Sequence, residues 1–198
     1  MHRDSYRIMR YFVETYLDSR QQYDILDVGS YDVNGSYKPL FNNPLWKYTG
    51  LDIEAGPNVD VVSKGNYDFG LDKQYDVIVS GNCLEHVENP QQWIWEVEKY
   101  VKPGGIVCII TPFTIPEHRF PLDCWRILPD AYRYMMEKQA GFEIIETRIN
   151  PHVKRYKFMR LIPLPAKCMN LLPVWVGSWF EYFNDQTIDD TYVVARRK

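Results

Sequence analysis

Carboxylates and glycines stand directly after apolar, strand-like runs in the first part of the chain. Asp27 and Gly29 end the run DILDVGS (24–30), and Asp52 lies near the end of the run YTGLDIE (48–54). A glycine at a strand end lets the backbone approach a ligand closely, and a carboxylate roughly twenty residues later can accept both hydroxyls of a ribose. We therefore predict a site for an adenosine-type cofactor that lacks a 2′-phosphate.

A second set of polar residues follows a later apolar run that ends near Thr111. The segment EHRFPLD (117–123) forms, with Arg126, the densest polar cluster of the sequence. A substrate loop is expected at such a strand end, and an imidazole is the commonest general base near neutral pH. We predict that His118 is a base or a substrate ligand and that Asp123 orients it or binds a substrate hydroxyl. The alternative is a salt-bridged structural loop.

Two further side chains near the predicted strand ends are candidates for the site. His86 lies about one helical turn past the run that ends at Ser80, so it is either a second catalytic base or a residue that packs beside the cofactor. Trp125 offers either a stacking face or a part of the core. The four histidines show no metal-ligand spacing, and the four cysteines contain no CxxC pair. We therefore expect no metal and reduced thiols in a cytoplasmic protein.

Hydrophobic periodicity predicts the elements that position these residues. One apolar stripe indicates an amphipathic helix over residues 3–19, and Asn89 with Pro90 starts a second helix that Gly104–Gly105 stops. The strands predicted around these helices are Asp24–Val28, Lys47–Asp52, Tyr75–Ser80 and Ile106–Thr111. A strand, a helix and a strand in this order require a parallel pair with a right-handed crossover. The fold class is therefore α/β, with a doubly wound and mostly parallel sheet.

The connection after Asp52 is too short for the usual crossover helix. Only IEAGPN separates Asp52 from the apolar run Val59–Val62, so either a loop replaces the helix or the third strand is a stub, and we favour the loop. Further along the chain, the pattern predicts a helix over 129–141 and strands over 142–149 and 191–197.

An aromatic insertion over about 151–190 precedes the last predicted strand. Its segment 160–183 is long and apolar, but Pro163, Pro165 and Pro173 argue against a membrane-spanning helix. A cap over the site or a homodimer contact is the preferred interpretation, and shallow membrane contact is the alternative. The whole chain, 1–198, suits one domain, and its net charge of −3 gives no basic surface for nucleic acid.

Four motifs in order resemble those of class I S-adenosylmethionine-dependent methyltransferases of the type-11-like group. They are DVGS, GLD, YDVIVSGNCLEHVENP and VKPGGIVCIITP, and together they cover roughly residues 20–115. The stretch 117–143 is similar to a subgroup associated with polysaccharide and surface-glycan biosynthesis. The resemblance implies a Rossmann-like fold with seven strands and S-adenosylmethionine as the cofactor.

The same resemblance implies roles for individual residues. Asp52 would hold the ribose, Ile53 would press on the adenine, and Tyr31 stands where the family usually has a second glycine. The residues implied at the methionine end are Asp27, Gly29 and Ser30. Those implied near the adenine edge are Gly65, Asn66 and Tyr67. Those implied beside the sulfonium and the substrate are Ser80, Gly81 and Asn82.

The predicted function is O-methylation, and secondarily N-methylation, of a small hydroxylated acceptor such as a sugar, nucleotide sugar or glycan. A cofactor-binding subunit or pseudoenzyme without turnover is the main alternative. A nicotinamide oxidoreductase is a weaker one, because Tyr134 and Lys138 form a YxxxK pair but no GxxxGxG loop precedes them.

Overall fold

A computed structural model of the protein describes residues 3–150 and 189–198, and these residues form one seven-stranded sheet. The strands are β1 (Tyr23–Val28), β2 (Trp46–Asp52), β3 (Val61–Val62), β4 (Tyr75–Gly81), β5 (Val101–Pro112), β6 (Phe142–Asn150) and β7 (Asp190–Arg197). Their spatial order is β3-β2-β1-β4-β5-β7-β6. Strands β1 to β5 are parallel, and β7 runs antiparallel to both β5 and β6. The predicted doubly wound, mostly parallel seven-stranded fold is confirmed.

Helices cover both faces of this sheet. They are α1 (Arg3–Tyr16), α2 (Pro90–Tyr100) and α3 (Pro129–Tyr132), and α3 continues as a π-helical turn, Arg133–Lys138. Because side chains alternate along a strand, Ile25 of β1 joins the apolar core under α1, whereas Leu26 joins the core under α2. Two cores on opposite faces leave the strand ends as the place where a ligand can reach the sheet.

Helix α2 begins where the sequence predicted but ends earlier. The Asn89 side chain accepts a hydrogen bond from the Gln92 amide, and Pro90 occupies the first turn. The prediction that Gly104–Gly105 stops the helix is wrong, because Val101 already has an extended backbone. Val101 instead pairs with Tyr75 and is fully buried, which makes it the first residue of β5. The KPGG segment bulges out between this pair and the next register position.

The connection between β2 and β3 combines both alternatives considered from the sequence. No helix separates the two strands, and β3 contains only 2 residues. Hydrogen bonds from side chains of the β2–β3 loop take the place of regular strand pairing. The Asp60 carboxylate accepts a hydrogen bond from the Gly50 amide at 2.8 Å, and the Asn58 amide group donates to the Ser30 carbonyl at 3.0 Å. The shortened connection is therefore held by specific polar contacts.

The remaining predictions beyond β5 have mixed outcomes. The predicted helix over 129–141 starts at Pro129, but only 4 residues are α-helical before the π-helical turn. The predicted last two strands are confirmed as β6 and β7. The insertion at 151–190, with its segment 160–183, lies outside the described residues except at its carboxyl-terminal end. Among residues 3–150 and 189–198, none of the helices has the length and apolar character needed to cross a bilayer.

Candidate active site

The loops after β1 and β4 touch at the carboxyl edge of the sheet. Gly29, which ends the β1 segment, has a φ of +82°, a backbone conformation that side chains disfavour. A Cβ atom added to Gly29 would lie 2.6 Å from the Cβ atom of Cys83, which follows β4. Only glycine fits here, and it brings the two loops together at the point where an open α/β sheet binds its ligand.

Asp52 at the end of β2 holds the β1 loop in place. Its carboxylate accepts hydrogen bonds from the backbone amides of Tyr31 at 3.0 Å and Glu54 at 3.3 Å. The carboxylate is only partly buried, and Ile53 beside it is 47% exposed, so both can contact a ligand. Tyr31 is tolerated in place of a second glycine because residue 56 is itself a glycine. A Cβ atom there would lie 1.8 Å from the Tyr31 ring.

Asp27 is a buried carboxylate with one free oxygen. Its Oδ2 atom accepts a hydrogen bond from the Tyr48 hydroxyl at 2.6 Å, while Oδ1 has no hydrogen-bond partner among the described residues. Burial raises the pKa of Asp27 to about 7. An ammonium group bound at Oδ1 would favour the charged carboxylate.

Asn82 is the second residue with unused polar atoms at this edge. Its backbone has a φ of +55°, and both polar atoms of its side chain are buried without a partner in the part of the chain that the structure describes. Gly81, just before it, packs against the Tyr37 ring. Buried polar groups are normally hydrogen-bonded, so Asp27 Oδ1 and the Asn82 amide indicate a missing polar ligand.

Two of the predicted contact residues use their hydroxyls within the protein. Ser80 is buried and donates to the Val28 carbonyl at 2.7 Å, which ties β4 to β1. Ser30 donates to the Asn58 carbonyl at 3.0 Å. Their predicted roles toward the cofactor stay predictions, but their hydroxyls are engaged in holding the loops.

The three residues predicted near the adenine edge follow β3. Gly65 pairs with Asp68 in an isolated bridge, and Asn66 and Tyr67 form the turn between them. The Tyr67 hydroxyl accepts a hydrogen bond from the Asn89 amide at 2.8 Å. This contact joins the β3 loop to the start of α2, and the predicted contact with adenine stays a prediction.

A cluster of ionisable side chains lies in the loops after β4 and β5, and two of the predicted catalytic residues meet in it. The rings of His86 and His118 are 5.1 Å apart and stacked edge to face. Between them lies Glu85, whose Oε1 atom is 3.7 Å from His86 Nε2 and 3.8 Å from His118 Nε2. Glu85 was not among the residues predicted from the sequence, although its position directly before a histidine in the LEHV segment was a signal that could have identified it.

Charged and polar groups lie close to both imidazole rings. His86 Nδ1 lies at hydrogen-bonding distance from the Leu122 carbonyl, and His118 Nδ1 is 3.4 Å from Asp123 Oδ2 but has no hydrogen-bond partner among the described residues. The Arg126 guanidinium binds Asp123 and holds the pKa of that carboxyl well below its usual range. Glu85 raises the pKa of His118 through a charge-assisted contact. The predicted role of Asp123 in orienting His118 stays a prediction.

The remaining sequence candidates are tied to backbone groups or lie on the surface. The Trp125 indole donates to the Val87 carbonyl at 2.9 Å, and the ring is 42% exposed. Tyr134 is 60% exposed, and its hydroxyl accepts a hydrogen bond from Gln139. Tyr134 and Lys138 belong to the π-helical turn rather than to the long helix predicted for them.

Cys83 links the strand-end carboxylates to the histidine cluster, which consists of Glu85, His86 and His118, because Cys83 packs against Gly29 and lies two residues before Glu85. Burial raises the pKa of the Cys83 thiol, and the charges of Glu85, Asp52 and Asp27 raise it further. Cys83 therefore lies within electrostatic range of both groups. A doubly wound sheet with a glycine turn, a ribose-type carboxylate and unused polar atoms at one edge defines the class I methyltransferase architecture.

Comparison with known proteins identifies the family. Residues 1–147 match the family described as "Methyltransferase domain", and the chain belongs to that family. The predicted enzyme class, an S-adenosylmethionine-dependent methyltransferase, and its cofactor are therefore confirmed at the level of the family.

The matches to curated relatives cover only a part of each relative. The non-reducing polyketide synthase adrD of Penicillium rubens is 24% identical over 185 residues, which cover 85% of this chain and 7% of the synthase. The ubiquinone biosynthesis O-methyltransferase of Rickettsia conorii is 36% identical over 63 residues, or 32% of this chain and 22% of the relative. The chain thus spans less than a quarter of the length of either relative.

Solved structures share the fold. The [4+2]-cyclase SpnF has a TM-score of 0.64 and 17% identity, covering 97% of this chain and 80% of its own. Phosphoethanolamine N-methyltransferase 2 of Haemonchus contortus, solved with S-adenosyl-L-methionine, has a TM-score of 0.60 and 13% identity. The match covers 98% of this chain and 52% of the methyltransferase. A cyclase and an N-methyltransferase share this fold, so the fold alone does not define the reaction.

Proposed function

We propose that this protein transfers a methyl group from S-adenosylmethionine to a hydroxyl of a small acceptor, such as a sugar, a nucleotide sugar or a dihydroxylated ring. The observation that carries the proposal is the cluster of Glu85, His86 and His118, in which the buried Glu85 carboxylate lies 3.7 and 3.8 Å from the two imidazole Nε2 atoms. A hydroxyl acceptor must lose a proton during methylation, and this cluster provides groups that can take it. The similarity to an O-methyltransferase of ubiquinone biosynthesis supports the same reaction class.

The strand-end residues fit the cofactor. When bound, S-adenosylmethionine supplies an electrophilic methyl group and leaves as a neutral thioether. Asp52 would accept hydrogen bonds from the ribose, because its partly exposed carboxylate lies at the end of β2. Asp27 Oδ1 would accept a hydrogen bond from the ammonium group of the cofactor. The buried Nδ2 and Oδ1 atoms of Asn82 would form hydrogen bonds with polar groups of the ligand.

The histidine cluster would handle the acceptor proton. The acceptor oxygen would take the methyl group that the cofactor supplies, and the electron pair of the broken carbon–sulfur bond would stay on sulfur. The acceptor proton passes to a group of the cluster, with His118 Nε2 as the candidate base, and then to solvent. Asp123 holds the His118 backbone amide at 2.8 Å and so fixes the loop that carries the base.

Radiolabelled S-adenosylmethionine tests the proposal. The protein is incubated with UDP-glucose, glucose, 3,4-dihydroxybenzoate and, as amine acceptors, sarcosine and phosphoethanolamine. Label in a hydroxylated compound supports the proposal. Label only in an amine would replace it with N-methylation. Tight binding of S-adenosylhomocysteine without transfer to any acceptor would favour a non-catalytic cofactor-binding protein.

A further inference from the structure

We propose that Glu85, His86 and His118 form a binding site for a divalent transition-metal cation. One oxygen and two imidazole nitrogens, each able to ligate a metal, lie within 4.8 Å of one another. Ligands about 2.1 Å from a tetrahedral ion are about 3.4 Å apart. The Glu85 Oε1 atom is 3.7 Å from one Nε2 atom and 3.8 Å from the other, which is close to this spacing.

The buried carboxylate of Glu85 provides the second, independent observation. Glu85 is 0% exposed, and neither of its oxygens has a hydrogen-bond partner among the described residues. A buried carboxylate without a partner is strongly unfavourable unless a positive group neutralises it. Two ring nitrogens are its nearest ionisable neighbours, and a cation between the three atoms would satisfy all of them.

The orientation of the imidazole rings supports a cation at this position. The Leu122 carbonyl can only accept a hydrogen bond, so His86 Nδ1 carries the proton and Nε2 points its lone pair toward Glu85. His118 Nδ1 lies 3.4 Å from the Asp123 carboxylate without a hydrogen bond, so only the His86 tautomer is fixed by a partner among the described residues. Metal-binding histidines commonly donate their second nitrogen to a carbonyl or carboxylate in this way.

The ligand set indicates the class of cation. Two imidazoles and one carboxylate suit Zn²⁺, Mn²⁺ or Fe²⁺, whereas Mg²⁺ prefers an all-oxygen shell. Three protein ligands leave coordination positions open, and the two histidines are the partly exposed members of the group.

An acceptor with two adjacent hydroxyls would fill the open positions. A metal-bound hydroxyl loses its proton to solvent more readily and presents its oxygen as the nucleophile. This role of the cation rests on the proposed O-methyltransferase function, and cation binding itself does not. In the metal-bound protein, His118 acts as a ligand, and the proton leaves from the metal-bound hydroxyl.

Zinc binding tests the site without reference to activity. Full-length protein is treated with a chelator, dialysed and titrated calorimetrically with ZnCl₂. We expect one strong site that is weakened at least tenfold in each of Glu85→Gln, His86→Ala and His118→Ala. The matched control, Glu117→Gln in the loop that carries His118, should bind like the unaltered protein. Far-UV circular dichroism checks that each variant is folded.

A measurement on the unaltered protein keeps the test valid if a variant does not fold. X-ray absorption at the zinc edge should show two imidazole ligands and one carboxylate. Binding weaker than about 1 mM, or ligation that includes a cysteine sulfur, would overturn the proposal. Unaltered binding in all three folded ligand variants would overturn it as well.

Comparing binding with methyl transfer separates the two proposals. Zinc binding without methyl transfer to any hydroxylated compound would refute the O-methyltransferase function and leave the metal site in place. Methyl transfer that persists at full rate in chelator, together with no zinc binding, would refute the metal site and leave the O-methyltransferase function in place.

Discussion

The two edges of the parallel sheet differ in how their carboxylates are neutralised. At the amino edge, Lys73 binds Asp24 at 2.7 Å and Lys102 binds Asp76 at 2.9 Å, and all four side chains are partly exposed. At the carboxyl edge, Asp27 and the nearby Glu85 are buried, and neither has a lysine or arginine partner among the ion pairs of the described residues. The carboxylates of the amino edge are therefore paired within the protein, whereas Asp27 and Glu85 at the carboxyl edge keep oxygen atoms without a hydrogen-bond partner among the described residues.

This difference indicates that the carboxyl edge of the sheet is less stable than the amino edge and is the edge suited to bind a ligand. A buried carboxylate without a countercharge lowers the free energy of unfolding, while an exposed ion pair changes it little. Both kinds occur on the same strand, β1, with Asp24 near its start and Asp27 near its end. Substitutions at the two edges should therefore change the free energy of unfolding by different amounts. For Asp27 the change should also have the opposite sign to that for Asp24.

The largest effect is expected in the histidine cluster. His118→Ala should lower kcat for methyl transfer by about 10²–10⁴-fold, because the acceptor proton loses its base or the cation loses a ligand. The control is Glu117→Gln, which alters an exposed neighbour and should leave the rate unchanged. Initial rates with labelled S-adenosylmethionine measure both. A rate within twofold of the unaltered protein would exclude His118 from the reaction.

The next effect concerns Asp52. Asp52→Ala should weaken the binding of S-adenosylhomocysteine by about 1–3 kcal/mol, because charge-assisted hydrogen bonds to the ribose are lost. Calorimetric titration measures the affinity, and Glu54→Ala, two residues further along the chain, provides the matched control. Equal affinities in the two variants would remove Asp52 from the cofactor site.

A smaller effect with an unusual sign is expected at Asp27. Burial raises its pKa from 3.8 to about 7, so the folded protein holds this proton more tightly than the unfolded chain does. The resulting contribution to the free energy of unfolding is fully present below pH 3.8 and is lost as the pH rises toward 7. The carboxamide introduced by Asp27→Asn does not ionise in this range. The free energy of unfolding of Asp27→Asn, relative to the unaltered protein, should therefore increase by about 2 kcal/mol between pH 5 and pH 8.

Urea unfolding at pH 5 and pH 8 measures the Asp27 effect. The same variant should bind S-adenosylhomocysteine less tightly, since the ammonium group loses its carboxylate. A relative stability that does not change with pH would show that Asp27 is ionised throughout this range and would contradict the contrast between the edges.

The smallest effect is expected at the amino edge. Lys73 lowers the pKa of Asp24, so this carboxylate stabilises the protein above its unfolded pKa, and that stability is lost as the pH falls. Asp24→Asn should destabilise the protein by no more than about 1 kcal/mol at pH 7, less in high salt, and leave cofactor affinity unchanged. A larger loss, or altered cofactor binding, would show that the two edges are coupled.

Most of the fold could be predicted because its signals are local. Alternating and continuous apolar runs located the strands, and Asn89 with Pro90 located the start of α2. The end of α2 was missed because Val101 is a buried, β-branched residue that continues directly into β5, so the glycines after it belong to a bulge. The π-helical turn after α3 has no sequence signal that separates it from an α-helix.

The site was predicted residue by residue but not as an arrangement. Each of His86 and His118 was identified from its place after a strand, yet their contact depends on how the loop after β5 folds back over the loop after β4. Glu85 was missed because burial of a carboxylate is decided by tertiary packing. The linear spacing of the histidines gave no indication of a metal site for the same reason.

A crystal structure with S-adenosylhomocysteine bound would show whether the carboxyl edge of the sheet holds the cofactor. We expect the ligand at the carboxyl edge, with the ribose hydroxyls within hydrogen-bonding distance of the Asp52 carboxylate, the ammonium group on Asp27, and the sulfur directed toward Asn82 and the histidine cluster. A ligand bound elsewhere, or one that leaves Asp27 and Asn82 without partners, would contradict the account.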